Sequence, residues 1–222
     1  MPAGKLIVIE GLDSSGKETQ SKLLYKYMRD NGNNVKRVEF PNYSSPSSSL
    51  VKMYLAGELG KTANSVNPYA ASSFYAVDRY ATYKKDFEEF YKSGGVIIAD
   101  RYTTSNIIHQ GSKIADKTEK EKYLSWLQEY EYNLLKLPKP DLVIFLDMPV
   151  EVSIRLMAER MNKADGGRIK DIHESDVEYL KNTYAAAKEM VEKFGWECVN
   201  CCANGYVRGI EEIHRDIIEK AR

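Results

Sequence analysis

Residues 5–20 read KLIVIEGLDSSGKETQ: an apolar β-type run, a glycine-bounded loop Gly11-Leu12-Asp13-Ser14-Ser15-Gly16-Lys17, and the start of an amphipathic helix. Strand, glycine loop and helix in that order predict a phosphate-binding loop. Backbone N–H groups, a helix N-terminus and one lysine converge there on a polyphosphate. Gly11 and Gly16 supply backbone angles that a Cβ would resist. Lys17 brings a point charge to β- and γ-phosphate oxygens. A chance glycine-rich turn is the competing reading, and the flanking strand and helix argue against it. The loop predicts binding of a nucleoside triphosphate. One residue departs from the pattern: Glu18 stands where a Ser or Thr would hold Mg²⁺, and the hydroxyl comes one residue later, at Thr19. A carboxylate can also ligate a hard cation, directly or through water.

Working outward, apolar runs recur at 6–10, 35–40, 96–100, 142–147 and 196–201, separated by helical patterns. The alternation predicts βαβ units and a mostly parallel five-stranded sheet in a three-layer α/β/α arrangement. Nearly continuous apolar strands such as VIIA and LVIFL fit burial on both faces. Ligands of such sheets sit at the carboxyl ends of the strands, so Asp13, 40–43, 100–102 and Asp147 are the positions to search. At 222 residues, 43% of them hydrophobic, the chain can bury one sizeable core. Its 32 basic and 32 acidic side chains cancel, so no overall field draws it to nucleic acid or anionic lipid. No apolar run approaches a membrane span, and a strand beginning at residue 5 leaves little room for a leader, so a cytoplasmic location is expected. Cys198, Cys201 and Cys202 lack the further ligands of a zinc site and are expected as reduced thiols.

A long helical pattern over 68–92 is rich in aromatic residues, most of them serving packing. Tyr75 and Arg79 stand four apart and share a face, which offers a ring for a base and a guanidinium for a phosphate.

With Asp100-Arg101-Tyr102 added, the ordered set GLDSSGK, Phe40-Pro41, FYAVDR (74–79), DRYTTSN (100–106), FLDMP (145–149) and an Arg-containing segment near 160–170 resembles the thymidylate kinase family. The resemblance covers nearly the whole chain. It implies one nucleoside monophosphate kinase domain over 1–222, with a flexible lid near 160–174. The implied reaction passes a phosphoryl group from ATP to dTMP, with Mg²⁺, in dTTP supply. Phosphoryl transfer needs positioning and charge neutralisation more than covalent chemistry.

On the donor side, the resemblance assigns Gly11, Leu12, Asp13, Ser14, Ser15, Gly16 and Lys17 to ATP, with Glu18, Thr19 and Asp100 near the metal. Arg101 and Arg79 would grip the dTMP phosphate, since guanidinium binds two oxygens in a fixed fork. Asp13 would accept from the 3′-hydroxyl, and Tyr75 would stack on the base, with Phe74 as its rival. Ser105 and Asn106 would meet the thymine edge, Pro41 would help shape the methyl pocket, and Phe40 would also belong to the dTMP site. Some relatives carry an Arg in the phosphate loop where this chain has Ser14 and Ser15. The transition-state cation is then expected from the lid, as Arg168 rather than Lys163 or Lys170, with Arg160 stacking on adenine.

Two acceptor-side positions depart from the family: Tyr43 replaces a phosphate-binding Arg, and His109 replaces a Tyr near C2′ of the sugar. A homodimer is implied as well. The alternatives are another nucleotide or deoxynucleoside kinase of the same fold, or a nucleotide-binding module without turnover.

Overall fold

The apolar run at the N-terminus forms β1 (Lys5–Gly11), the central strand of the sheet. The structure, a computed structural model, describes residues 4–163, 172–173 and 176–222, without the side chains of 160–163. β2 (Val35–Glu39), β3 (Val96–Asp100), β4 (Leu142–Asp147) and β5 (Glu197–Asn200) join β1 in the order β2-β3-β1-β4-β5, with every neighbouring pair parallel. The five strands match the expected runs to within a residue or two. A second, two-stranded sheet, β6 (Cys202–Ala203) with β7 (Tyr206–Val207), turns at Asn204-Gly205 with φ values of 51° and 79°. The sequence reading had not marked this hairpin, although Asn-Gly is a strong signal for its tight turn.

Side-chain alternation along β1 divides the core. Ile7 and Ile9 pack with Ile98, Ile144 and Leu146 under α1 (Lys17–Asp30) and α9 (Ile210–Ala221), through Leu24, Ile213 and Ile217. Leu6 and Val8 face the other layer, where Ile97, Val143, Tyr83, Phe87 and Tyr102 meet them. Burial on both faces explains why β1, β3 and β4 are almost wholly apolar.

The helical pattern over 68–92 is three pieces: α3 (Pro68–Thr82), a π-helical turn at Tyr83–Phe87, and α4 (Glu88–Lys92). Asn67 caps α3 by accepting from the Ala70 N–H at 2.9 Å, and Pro68 opens it. A second π-helical turn, Glu129–Leu134, follows α6 (Lys117–Gln128) and carries Glu131 into the interior. There Glu131 accepts both arms of Arg79, at 2.7 Å from Nε and 2.5 Å from Nη2, with both side chains almost fully enclosed. Thr103 Oγ1 (2.7 Å) and Asn106 Nδ2 (3.1 Å) from α5 (Thr103–His109) complete the carboxylate's shell. Removing one partner strands the other's charge.

A smaller cluster packs α2 (Ser49–Leu55) onto the body. Tyr54 Oη accepts from Lys113 Nζ at 2.8 Å and lies 2.8 Å from His173 Nε2. Burial depresses the Lys113 ammonium from 10.5 to about 8.

Two outcomes test these interior charges. Glu131→Leu should cost about 3–5 kcal/mol in urea unfolding, and adding Arg79→Met should recover most of it, because an apolar pair replaces a stranded charge. An Arg79→Met/Glu131→Leu variant as unstable as the single one would contradict a dominant ion pair. For Lys113, the unfolded chain holds more protons between pH 8 and 10.5, so its contribution to stability rises with pH across that window. Lys113→Met should flatten the rise by about 1–3 kcal/mol, leaving the share of Lys17, whose depressed value acts with the same sign. Equal slopes in the two proteins would overturn the assignment.

Candidate active site

The phosphate loop joins the carboxyl end of β1 to α1, whose first residue is Lys17. Gly16 takes φ +90°, and Ser14 enters the left-handed region at φ +59° without being glycine. At Gly11 the constraint is approach: a Cβ there would come within 2.7 Å of Ser15 Oγ and 3.0 Å of the Leu146 carbonyl. The hydroxyls of Ser14 and Ser15 are buried without a hydrogen-bond partner among the described residues. Orphaned hydroxyl donors in this loop suit an oxygen-rich anion.

Lys17 is buried, and its Nζ donates to the Leu12 carbonyl at 2.5 Å. Burial, then repulsion from Arg101, lowers its pKa to about 8, against the pull of Asp13, Asp100 and Glu10.

Beside this loop, across the β1–β3 pairing, lies Arg101, with its backbone at φ +65°. Its Nη2 donates to Asp13 Oδ1 at 2.5 Å. Its Nη1 faces a cup of acceptors at 3.2–3.5 Å: His109 Nε2, the Gly11 carbonyl, Ser105 Oγ and Glu10 Oε1. Enclosure acts to raise the Asp13 carboxyl, but the charges of Arg101 and Lys17 outweigh it and hold the group well below the usual carboxylate range. Asp13 therefore stays ionised, bonded to one cation and within the field of the other.

Arg101 donates to His109 Nε2, which makes that nitrogen an acceptor and puts the ring proton on Nδ1, 3.4 Å from Tyr179 Oη. Burial and the neighbouring guanidinium push the His109 pKa well below its usual value. His173 lies parallel to it at 6.0 Å, and burial, with Lys113 nearby, lowers its pKa to about 3. Both imidazoles are neutral at physiological pH.

A pocket opens onto this cluster. Asp13 and Arg101 line it with Ser105, Asn106 and His109, and Pro41, Tyr43 and Tyr75 line it as well. Tyr75 meets Tyr54 edge to face at 6.4 Å. Expected acceptor residues are thus drawn from the phosphate loop, α3 and α5 around one cavity.

Two expected residues are placed otherwise. Arg79 is not among the described lining of the pocket: the residue is 1% exposed and its guanidinium is committed to Glu131. The expected pair of phosphate-gripping guanidiniums is therefore reduced to Arg101. Arg79 still meets the site indirectly, because Asn106 lines the pocket and donates to the same Glu131. Phe40 is also absent from that lining. Its ring packs edge to face on Tyr102 at 5.7 Å within the core, leaving Pro41 at the cavity.

Asp100 ends β3 with its carboxylate 3.3 Å from Arg37 Nη2 and 3.5 Å from Ser21 Oγ. Glu18 and Thr19 are exposed on the first turn of α1, and Glu18 pairs with Lys22 at 2.5 Å. No cluster of three or more His, Cys, Asp or Glu able to hold a metal occurs among the described residues. The available donors are nonetheless all oxygens, which fits a hard divalent cation bound by one or two carboxylates, water and phosphate. Arg160 and Lys163 fall on the last turn of α7 (Val150–Lys163), with side chains outside the described residues. Arg168 and Lys170 lie outside them altogether.

Sequence reading missed Glu10, Arg37, Glu131 and His173. Glu10 carried a usable signal as the one charged residue within the apolar stretch LIVIEG. The others stand in stretches where charge is unremarkable. Among the described residues no helix is long and apolar enough to cross a membrane.

Comparisons with known proteins point to one family. The family model described as Thymidylate kinase matches residues 9–217. The chain is 30% identical over 218 residues to a thymidylate kinase of Plasmodium falciparum, covering 98% of this chain and 89% of that one. To a thymidylate kinase of Mycobacterium tuberculosis it is 32% identical over 192 residues, covering 86% and 87%. The solved thymidylate kinase of Candida albicans shares the fold at a TM-score of 0.69 and 24% identity, over 98% of this chain and 90% of that one. A phosphate loop beside a guanidinium-lined pocket, matched to one family along almost its entire length, makes this chain a kinase that belongs to the thymidylate kinase family.

Proposed function

We propose that the chain transfers the γ-phosphoryl group of ATP to dTMP, giving ADP and dTDP, with Mg²⁺ as the metal. The observation that carries this reading is the shared carboxylate. Asp13 lies 2.5 Å from Arg101, and the charges of both Arg101 and Lys17 depress its pKa, so this carboxylate stands within the field of both cations. In the proposed reaction an oxygen of the dTMP phosphate bonds to the γ-phosphorus as the bond to the β–γ bridging oxygen breaks. The electron pair leaves with ADP. No strong base is required, since the attacking oxygen is already anionic at neutral pH.

In this reading Gly11, Leu12, Ser14, Ser15 and Gly16 cradle the ATP phosphates, and Lys17 neutralises the β and γ oxygens. Arg101 orients the acceptor phosphate, and Asp13 accepts from the 3′-hydroxyl. Tyr75 stacks on thymine, Ser105 and Asn106 meet its edge, and Pro41 sits by its methyl group. The neutral ring of His109 faces the sugar without adding charge. Mg²⁺, when bound, neutralises the phosphates, and Asp100, Glu18 and Thr19 are the oxygens proposed to hold it. The chain acts as a single domain over 1–222, with a lid near 160–174 that brings Arg160 and Arg168 to ATP. We further propose a cytoplasmic homodimer, for which the exposed Val77, Tyr80 and Leu134 offer apolar surface.

An ADP-release assay across nucleoside monophosphates tests the reading: dTMP should be preferred, with thymidine not accepted. A wide preference for dUMP, CMP or AMP would reassign the substrate. ATP binding without product from any monophosphate would instead favour a binding module. Lys17→Ala should lower kcat by about 10²–10³-fold, the usual scale for losing one preorganised cation or donor. Near-normal turnover would remove Lys17 from the transferring phosphates.

A further inference from the structure

We propose that Glu10 is the positioning residue of the acceptor site, a buried carboxylate that fixes Arg101 against the phosphate loop; this deepens the proposed reading and rests on it. Glu10 is fully buried at the carboxyl end of β1, on the face that Leu6 and Val8 line with hydrocarbon. A charge in that place needs a full shell of donors. Its Oε2 accepts from Thr104 Oγ1 and Ser105 Oγ, each at 2.7 Å. Its Oε1 accepts from the Gly11 N–H at 3.0 Å and lies 3.5 Å from Arg101 Nη1. One carboxylate therefore ties together the first residue of the phosphate loop, the first turn of α5 and the acceptor guanidinium.

Arg101 is shared between two carboxylates with different surroundings. Asp13 stands in the pocket wall with a quarter of its side chain exposed, and holds Nη2 by a single short bond. An arriving phosphate dianion competes for that nitrogen, and Asp13 is then released to accept from the sugar hydroxyl. Glu10 has no solvent-facing surface and three other donors, so it keeps its place. Asp13 is the exchangeable partner of Arg101 and Glu10 the permanent one. The left-handed backbone of Arg101, φ +65°, is consistent with a side chain whose direction is imposed from outside.

Steady-state kinetics on Glu10→Gln, Arg101→Lys and their combination test the inference. Glu10→Gln should raise KM for dTMP about tenfold and lower kcat, with KM for ATP within about threefold of wild type. The effect of Glu10→Gln should vanish in the Arg101→Lys background, since Glu10 acts through the guanidinium. Additive losses, or an equal rise in both KM values, would leave Glu10 a merely structural residue and overturn the proposal. Should Glu10→Gln fold poorly, Thr104→Val removes one donor of the clamp, and a several-fold rise confined to KM for dTMP is expected. No change in KM for dTMP there would also overturn it. A wild-type protein that ignores dTMP would fail the substrate reading instead, because these comparisons need an active reference.

Discussion

The parallel pairing of β1 with β3 is the constraint on which the site depends. Its register sets Ile9 opposite Asp100, so β1 runs only two residues past the level at which β3 ends. The next residue on one strand is Glu10, directly before the phosphate loop begins at Gly11, and the next on the other is Arg101. Two anion-binding elements are thereby brought side by side by main-chain hydrogen bonds, without relying on long side chains to find each other. α/β sheets gather ligands at this edge because parallel strands all end there.

Around that edge, charge is balanced in pairs. Lys17 and Arg101 answer Asp13 and Glu10, while Arg37 answers Asp100 at 3.3 Å. The cations stay charged in a partly enclosed site because carboxylates stand beside them. The pocket is also lined by the uncharged rings of His109 and His173. Among the described lining residues Arg101 is the one strong positive centre, which suits one monophosphate better than a longer polyphosphate.

Much of this was legible in the sequence because it is carried by local pattern. Strand periodicity, the two loop glycines and Arg101 directly after a strand each specify a place in the fold without knowledge of distant residues. Arg79 shows where such reading fails. Spacing from Tyr75 sets its helix face, but its partner Glu131 lies in a π-helical turn more than fifty residues away, within the run EYEYN where one acid looks like another. Phe40 fails similarly: the adjacent pair is divided, Phe40 in the core and Pro41 at the cavity. Glu10 was visible as a charge among apolar neighbours, yet its significance depended on donors from α5, supplied nearly a hundred residues later.

The central claim is that one crevice holds a triphosphate and a monophosphate end to end. Titration calorimetry with a single molecule in which adenosine and thymidine are joined through five phosphates tests it most directly. Two facing cradles predict one site per chain and an affinity well beyond that of ATP or dTMP alone. An affinity no better than that of ATP, or simultaneous binding of dTMP alongside the joined compound, would contradict the account.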